Sequence, residues 1–353
     1  MKKKSFSKIK EILNDAKKGK MFILVDDGDR ENEGDLVIPG SKCNSKNINF
    51  MAKHGRGLIC LALTSRKVKR LNLPLMSSVN KSRTQTAFTV SIESKKGVTT
   101  GISAHDRAKT IKVAIKPNSN RSNIVSPGHV FPLVARDGGV LERAGHTEAS
   151  VDISKLAKLN PSAVICEVMN EDGTMARYKD LIVFAKKHRL KIAKIEDLIS
   201  YRLINEKLIK CISSKKIKIK KFGTFDLKTF KSKLDGSEHY AITKGKFTGG
   251  KASRVRVIST NVINSFLNFN KDIFRNTLKY LCKYNNFALI LVKGTNLNPA
   301  SSENNRILRY YGIGAQIIKE LKIKKMILVS RSIKRIIALD GYGIKITKQE
   351  IMK

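Results

Sequence analysis

Six carboxylates crowd into ten consecutive residues near the start of the chain, at positions 26–35 (DDGDRENEGD). Arg30 lies among them, and Gly28 and Gly34 are flexible joints. Because like charges so close together repel one another, such a segment needs cations to neutralise it. Carboxylate oxygens that follow an apolar strand are the ligands that Mg²⁺ prefers. The spacing predicts a divalent-cation site, and an acidic surface turn without a metal is the alternative.

Arginine and histidine among small residues form a second group, farther along the chain. Residues 126–133 (SPGHVFPL) place His129 beside Pro and Gly, and residues 138–150 (GGVLERAGHTEAS) contain Arg143 and His146. An Arg side chain offers a fork of hydrogen-bond donors, and Gly lets backbone amides approach a phosphate. His146 can add a nitrogen ligand to the same metal. These segments therefore predict a phosphate site next to the cation.

A third segment, residues 166–177 (CEVMNEDGTMAR), carries Glu167 at the end of a predicted strand. An ionisable side chain in an apolar strand is either paired or functional. A lone Glu is more often paired, but the presence of the other two segments favours a functional role for this one.

The elements that must position these side chains are short strands and helices in mixed order. An apolar strand at residues 21–25 leads into the acidic segment, and further strands are predicted at 87–92 and 163–168. A helix is predicted over residues 147–157. Strands and helices do not alternate strictly, so the pattern favours an α/β or α+β fold with a mixed sheet over a doubly wound sheet.

The length of 353 residues suits two domains. Residues 206–221 are dense in Lys and poor in core residues, which predicts a linker there. We therefore expect one domain at residues 1–205 and another at 222–353, the second again α/β.

The formal net charge of +41 would suit a nucleic-acid binder. No RNA-binding aromatic motif or zinc-finger spacing accompanies it, so we interpret the charge as solvated surface lysines that attract anionic substrates weakly. The five cysteines lack paired spacing, which argues against disulfides and structural zinc and favours a reducing compartment. With no signal peptide and no apolar run of membrane-spanning length, we expect a cytoplasmic protein without membrane or nucleic-acid partners.

Seven motifs, in order, resemble the 3,4-dihydroxy-2-butanone 4-phosphate synthase family. They are DDGDRENEGDLVIP, HGRGLICLALT, FTVSIE, GVTTGISAHDRAKTI, PGHVFPL, RAGHTEASVDI and CEVMNEDGTMAR, and the resemblance covers about residues 8–203. It implies a mixed-sheet enzyme of riboflavin biosynthesis that converts D-ribulose 5-phosphate to L-3,4-dihydroxy-2-butanone 4-phosphate and formate. It also implies a homodimer with Mg²⁺ or Mn²⁺, as a pair of ions in each active site.

The same resemblance implies roles for individual residues. Glu31 and His146 would be the metal ligands, and His129 and Glu167 would carry the proton transfers. The implied substrate-binding positions are Arg30, Glu31, Asp35, Arg143, Ala144, Gly145, His146, Thr147 and Glu167.

Residues 222–353 resemble GTP cyclohydrolase II more weakly, through FGTFDLKTF, HYAITKG, RVRVIST and RYYGIGAQIIKELKIKKMILVS. That enzyme needs a zinc ion held by three grouped cysteines. Here Ser259, Thr260 and Asn261 stand where the first cysteine belongs, and KGTNLNPASS at residues 293–302 replaces the expected Gly-rich, Arg-bearing loop. We therefore expect a degenerate domain without zinc. The alternatives are a bifunctional enzyme that retains cyclohydrolase activity and a basic nucleic-acid-binding scaffold.

Overall fold

The computed structural model describes residues 6–28, 30–81, 84–247, 250–260, 271–293, 303–332 and 342–352. The chain forms two compact units, the first built from residues up to Ile199 and the second chiefly from Ser200 onward. Each unit contains one seven-stranded sheet with helices, so the mixed α/β class that the sequence predicts is confirmed. Within the described ranges, no helix has the length and apolar character that crossing a bilayer requires.

The first sheet has the strand order β4-β5-β3-β6-β2-β1-β7. β1 pairs in parallel with β7 and β3 with β5, whereas the other neighbours are antiparallel. The strands are β1 (Phe22–Val25), β2 (Gly34–Pro39), β3 (Cys60–Thr64), β4 (Ile92–Ser94), β5 (Ile124–Ala135), β6 (Ser162–Glu167) and β7 (Lys191–Lys194).

Seven α-helices accompany this sheet along the chain. A π-helical turn, Met51–Gly55, continues the second of them. The helices are α1 (Ile9–Lys17), α2 (Ser45–Phe50), α3 (Ser65–Arg70), α4 (Ala104–Ile115), α5 (His146–Leu156), α6 (Tyr178–Lys187) and α7 (Ile195–Asn205).

The two faces of the sheet bury different side chains. Successive residues of a strand point to opposite faces, and the main apolar cluster takes Leu36 of β2 and Cys166 of β6 together with residues of α4 and α6. On the other face α5 packs against β2, β3 and β6, with Val151 against Ala62. Helices therefore cover both faces, which explains why β1 and β2 are buried along their whole length.

The register of the sheet brings two carboxylates together on the α5 face. Asp35 at the beginning of β2 is the antiparallel partner of Glu167 at the end of β6. Both residues are one position away from members of the apolar cluster, so both face α5. The strand ends and the beginning of α5 therefore form one polar edge of an otherwise apolar layer.

The second sheet has the strand order β14-β13-β11-β12-β10-β9-β8. β11, β12, β13 and β14 pair in parallel, and β8, β9 and β10 form an antiparallel extension next to β12. The elements are β8 (Ile209–Ile219), β9 (Gly223–Ser232), β10 (Glu238–Lys244), β11 (Ser253–Thr260), α8 (Lys271–Leu281), β12 (Phe287–Lys293), α9 (Glu303–Glu320), β13 (Lys325–Ser330) and β14 (Lys345–Ile351).

The linker predicted at residues 206–221 is instead mostly strand, because β8 occupies Ile209–Ile219 and pairs with β9. β8 is the edge of its sheet. Edge strands commonly carry exposed lysines, which discourage pairing with other chains. The high Lys content that predicts a linker is thus the composition of an exposed edge strand.

Candidate active site

Asp26 organises the acidic segment. Its buried carboxylate accepts hydrogen bonds from the amides of Glu31 (3.2 Å) and Glu33 (2.9 Å) and from Nη1 of Arg30 (2.8 Å). Asp26 follows directly after β1, so these bonds fold the loop back onto the end of the strand. Asp29, which the sequence groups with these carboxylates, lies outside the described residues.

Glu31 and His146 meet although they are far apart in the sequence. Oε2 of Glu31 lies 3.8 Å from Nδ1 of His146, the first residue of α5. Among the described residues, the group of at least three possible metal ligands is Asp26, Glu31 and His146, with their ligand atoms within 4.8 Å of one another. Oδ1 of Asp35 is also 3.8 Å from Nδ1 of His146. The structure therefore brings both predicted metal ligands to one place.

Charge interactions shift the pKa values of this pair in opposite directions. Burial alone would raise the pKa of Glu31, but His146 and Arg30 outweigh it and lower the pKa to about 2. Burial alone would lower the pKa of His146, but Asp35 and Glu31 outweigh it and raise the pKa to about 9. Glu31 is thus an anion, and the pocket attracts positive charge to the position of the imidazole.

The residues fit a divalent cation. Nε2 of His146 is buried and has no hydrogen-bond partner among the described residues. Nδ1 of the same ring faces the carboxylates of Glu31 and Asp35, so Nδ1 is the nitrogen that would bind a cation held by Glu31, with loss of its proton. Oε2 of Glu31, the oxygen nearest to His146, also accepts a hydrogen bond from Nη1 of Arg30, and because a carboxylate oxygen has two lone pairs, it can still bind a cation. Carboxylate oxygens with a single imidazole suit Mg²⁺ and Mn²⁺.

Asp35 and Glu167 extend the site along the ends of β2 and β6. Burial raises the pKa of Asp35, and the negative charge of Glu167 raises it further, against the effect of His146. Oε2 of Glu167 accepts a hydrogen bond from the amide of Leu58 (2.8 Å). A Cβ at Gly57 would lie 2.6 Å from the same oxygen, so only glycine lets the backbone come this close to Glu167. The carboxylate of Glu167 is therefore held in one position beside Asp35.

His129 lies on β5 and pairs with a carboxylate that the sequence motifs do not single out. Its Nδ1 is 2.8 Å from Oε2 of Glu93, whose Oε1 accepts a hydrogen bond from Oγ1 of Thr110 (2.8 Å). The His129 side chain is 43% exposed. Within the described ranges, no hydrogen bond or ion pair joins His129 to Glu31, His146 or Glu167. Thr110, Glu93 and His129 thus form a separate, oriented acid–base chain.

Arg143 and the N-terminus of α5 form the predicted phosphate region. Nη1 of Arg143 donates to Oε2 of Glu148 (2.6 Å), and Nη2 donates to the carbonyl of Thr84 (3.0 Å) and the hydroxyl of Thr86 (2.9 Å). These bonds use three of the five N–H groups of the guanidinium. Gly145 begins the helix without a side-chain cap, so the first-turn amides are available to an anion. Ala144 and Thr147 flank that turn and are buried.

Asp26 and Glu93 lie in the sequence motifs, but the sequence analysis assigns neither of them a role in the site. Asp26 is the first carboxylate after an apolar strand, the position from which a side chain can accept the amides of the following turn. Glu93 directly follows the apolar stretch at residues 87–92, so it is as unusual in its strand as Glu167. The same rule about charged groups in apolar strands would have identified Glu93.

All five cysteines are free thiols. In the second unit Cys211 lies on β8 and Cys282 follows α8, and neither belongs to a group of possible metal ligands within the described part of the chain. Ser259 and Thr260 end β11. Asn261 and residues 294–302, which the sequence identifies as departures from GTP cyclohydrolase II, lie outside the described residues.

Comparison with protein families matches each unit to one family model. Residues 10–201 match 3,4-dihydroxy-2-butanone 4-phosphate synthase. Residues 210–284 and 281–350 match GTP cyclohydrolase II.

Individual proteins resemble the chain over most of its length. A riboflavin biosynthesis protein, RibBA of Aquifex aeolicus, is 43% identical over 99% of this chain and 93% of its own. The crystal structure of RibBX, a two-domain 3,4-dihydroxy-2-butanone 4-phosphate synthase from A. baumannii, is 40% identical with a TM-score of 0.84 over 98% of this chain and 99% of that one. A 3,4-dihydroxy-2-butanone 4-phosphate synthase in complex with two magnesium ions is 38% identical with a TM-score of 0.53 over 56% of this chain and 96% of that one.

Proposed function

The chain belongs to the 3,4-dihydroxy-2-butanone 4-phosphate synthase family and has that synthase function in riboflavin biosynthesis, and we propose that Glu31 and His146 bind the divalent cation of the reaction. The observation that carries the proposal is the 3.8 Å approach of these two side chains from distant parts of the chain. A second carboxylate beside the same ring nitrogen supports it, because Oδ1 of Asp35 also lies 3.8 Å from Nδ1 of His146. The ion is Mg²⁺, which a related synthase binds as a pair, and Mn²⁺ should replace it.

The substrate is D-ribulose 5-phosphate, and the products are L-3,4-dihydroxy-2-butanone 4-phosphate and formate. This reaction begins with loss of a proton beside a ketone, and the bound cation supplies the positive charge that stabilises the resulting enediolate. The anion of Glu31 and the carboxyl of Asp35 border the sugar hydroxyls. The first-turn amides of α5 donate hydrogen bonds to the phosphate, with Ala144, Gly145 and Thr147 around it.

Two groups with different surroundings exchange protons with the substrate. Glu167 is fixed by the amide of Leu58 and is an acceptor beside Asp35. His129 has its Nδ1 against Glu93, which leaves Nε2 to give or take a proton. Later steps of the reaction need acids and bases that exchange roles, and this pair provides them.

Arg143 keeps the substrate-binding role that the sequence predicts. Its three hydrogen bonds to Glu148, Thr84 and Thr86 make it a support of the phosphate region. It acts on the phosphate through its charge. Arg30 is likewise bound to protein carboxylates, those of Asp26 and Glu31.

A homodimer is part of the proposal. Leu75, Met76 and Val79 are exposed by half or more of their surface in a unit whose other large apolar residues are mostly buried. Exposed apolar side chains close together suit a protein partner, and a second copy of this chain is the partner that the family implies. Sedimentation of the purified chain measures its mass and would contradict the dimer if only monomer were found.

Formate release tests the proposed function. The purified chain, incubated with ribulose 5-phosphate and Mg²⁺, should release formate. EDTA should abolish the release, and added Mg²⁺ or Mn²⁺ should restore it. Full activity in the chelator would contradict the metal assignment, and no formate from ribulose 5-phosphate under any metal condition would contradict the substrate.

A further inference from the structure

The acidic loop is held at its tip by an arginine from another part of the chain. Nη1 of Arg177 donates hydrogen bonds to the backbone carbonyls of Glu31 (2.6 Å) and Asn32 (2.9 Å). The same nitrogen is 3.5 Å from Oε1 of Glu33. Arg177 closes the motif CEVMNEDGTMAR, in which only Glu167 has a part in the proposed reaction.

The loop needs such an anchor because its own charges oppose its folded shape. Its carboxylates repel one another, and Arg30 is the cation within the segment itself. Asn32 adopts a left-handed backbone with φ 55°, a region that asparagine enters more readily than most other residues with a side chain. Asp26 holds the base of the loop, and at its tip Arg177 donates hydrogen bonds to two carbonyls and offsets the charge of the Glu33 carboxylate.

Arg177 is itself attached to the sheet independently of its side chain. The amide of Ala176 donates to the carbonyl of Val168, just after β6 (3.0 Å). The amide of Arg177 donates to Oδ2 of Asp180 in the first turn of α6 (2.9 Å). A substitution at position 177 therefore leaves this backbone in place and removes only the contact with the acidic loop.

We propose that Arg177 is a positioning residue for the metal site, which fixes the backbone of Glu31 before the cation arrives. The inference rests on the proposed role of Glu31 as a ligand. The carbonyl of Glu31 is bound by Arg177 while its carboxylate lies beside His146. A ligand that is already ordered loses less conformational entropy on binding, so the anchor raises metal affinity without touching the ion.

Mn²⁺ binding to the full chain, followed by the electron paramagnetic resonance signal of free Mn²⁺, tests this inference. Arg177→Gln should weaken Mn²⁺ binding about tenfold, the usual size of an outer contact to a metal ligand. Arg177→Lys should recover part of the loss, because an ammonium group can donate to one carbonyl but lacks the fork of the guanidinium. At saturating Mn²⁺, kcat of both variants should stay within a few-fold of the unmodified chain.

Lys67→Met is the matched control, since Lys67 also donates to two backbone carbonyls, those of Lys116 and Ser119, but away from the acidic loop. Thermal unfolding of each variant separates a loss of stability from a loss of affinity. Arg177→Gln with unchanged Mn²⁺ affinity, or Lys67→Met with an equal loss, overturns the inference.

Glu31→Gln distinguishes this result from the proposed function itself. If Glu31→Gln abolishes Mn²⁺ binding while Arg177→Gln leaves it unchanged, the metal site stands and only the role of Arg177 fails. If Glu31→Gln binds Mn²⁺ as well as the unmodified chain, the metal site is wrong and the inference fails with it.

Discussion

The buried carboxylates of Asp26 and Glu31 have hydrogen-bond partners, whereas one buried ring nitrogen, Nε2 of His146, has none among the described residues. Burying a carboxylate without compensation costs several kcal/mol, and Asp26 and Glu31 avoid this cost through Arg30 and backbone amides. Nε2 of His146 remains without a hydrogen bond among the described residues, a loss of about 1–3 kcal/mol. The negative surroundings lie at the other ring nitrogen, Nδ1, which Glu31 and Asp35 face, and a cation that they attract would bind there.

Glu167→Gln and His129→Ala should each lower kcat for formate release by about 10²–10⁴-fold, the usual contribution of a general acid or base. The amide of Gln can still accept the hydrogen bond from Leu58 but cannot take a proton. Glu171→Gln is the control, because Glu171 lies on the same segment with its side chain 83% exposed. A normal turnover of ribulose 5-phosphate by either variant would show that the role is assigned to the wrong residue.

At the scale of elements, the sequence predicts the pieces of the site better than their arrangement. The predicted strand at 21–25 and helix at 147–157 agree closely with β1 and α5. The approach of Glu31 to His146 follows from the pairing of β1, β2 and β6, and hydrophobic patterns do not say which strands are neighbours. Residue chemistry alone offers His146 as a further ligand for the metal of the acidic segment, and the resemblance to a family selects Glu31 as its partner.

Two predicted elements differ from the structure for identifiable reasons. Residues 87–92 predict a strand, but β4 begins only at Ile92, and Phe88 and Thr89 form isolated bridges. Thr89 bridges Leu75, Phe88 bridges Leu133 of β5, and β4 and β5 shift register between Ile92 and Glu93, so the pairing is interrupted rather than continuous. The high Lys content of β8 also leads to the wrong prediction of a linker. Lys216 and Lys218 in fact alternate with the isoleucines of an edge strand.

The contact between the π-helical turn and the end of α6 should make stability depend on pH. The rings of His54 and His188 lie 4.8 Å apart, packed with Phe50 and Phe184. Burial, and then neighbouring positive charges, lower the pKa of both histidines. The pKa of an unperturbed histidine, as in the unfolded chain, is about 6.5. At pH values between the lowered pKa values and about 6.5, the unfolded chain therefore binds more protons than the folded chain. The stability of this contact is thus present above that range and is lost as pH falls through it.

The double variant His54→Gln, His188→Gln should therefore lose less Tm than the unmodified chain between pH 7.5 and pH 5.5. Calorimetry at both pH values measures the difference. Since other groups titrate in both proteins, the comparison between them isolates the two histidines. Equal losses of Tm in the two proteins would mean that the pKa values of His54 and His188 are not lowered by folding.

At the scale of the whole molecule, the second unit keeps the fold of one enzyme family, and its described residues contain no group of possible metal ligands. It matches GTP cyclohydrolase II over most of its length. Zinc chemistry of that kind needs grouped cysteines, and Cys211 and Cys282 stand singly on separate elements.

We expect the purified chain to contain less than stoichiometric zinc by mass spectrometry and to release no formate from GTP, while it releases formate from ribulose 5-phosphate. Formate release from ribulose 5-phosphate shows that the preparation is active, so the absence of release from GTP is not due to inactive protein. One zinc ion per chain together with turnover of GTP would restore the bifunctional alternative.

The central claim is that Glu31 and His146 share one divalent cation, and pulsed electron paramagnetic resonance of the Mn²⁺-loaded chain measures this most directly. A directly bound imidazole couples its ¹⁴N nucleus to the Mn²⁺ electron spin. The account predicts this ¹⁴N coupling in the unmodified chain, its loss in His146→Gln and a large loss of Mn²⁺ affinity in Glu31→Gln. A ¹⁴N coupling that persists unchanged in His146→Gln would contradict it.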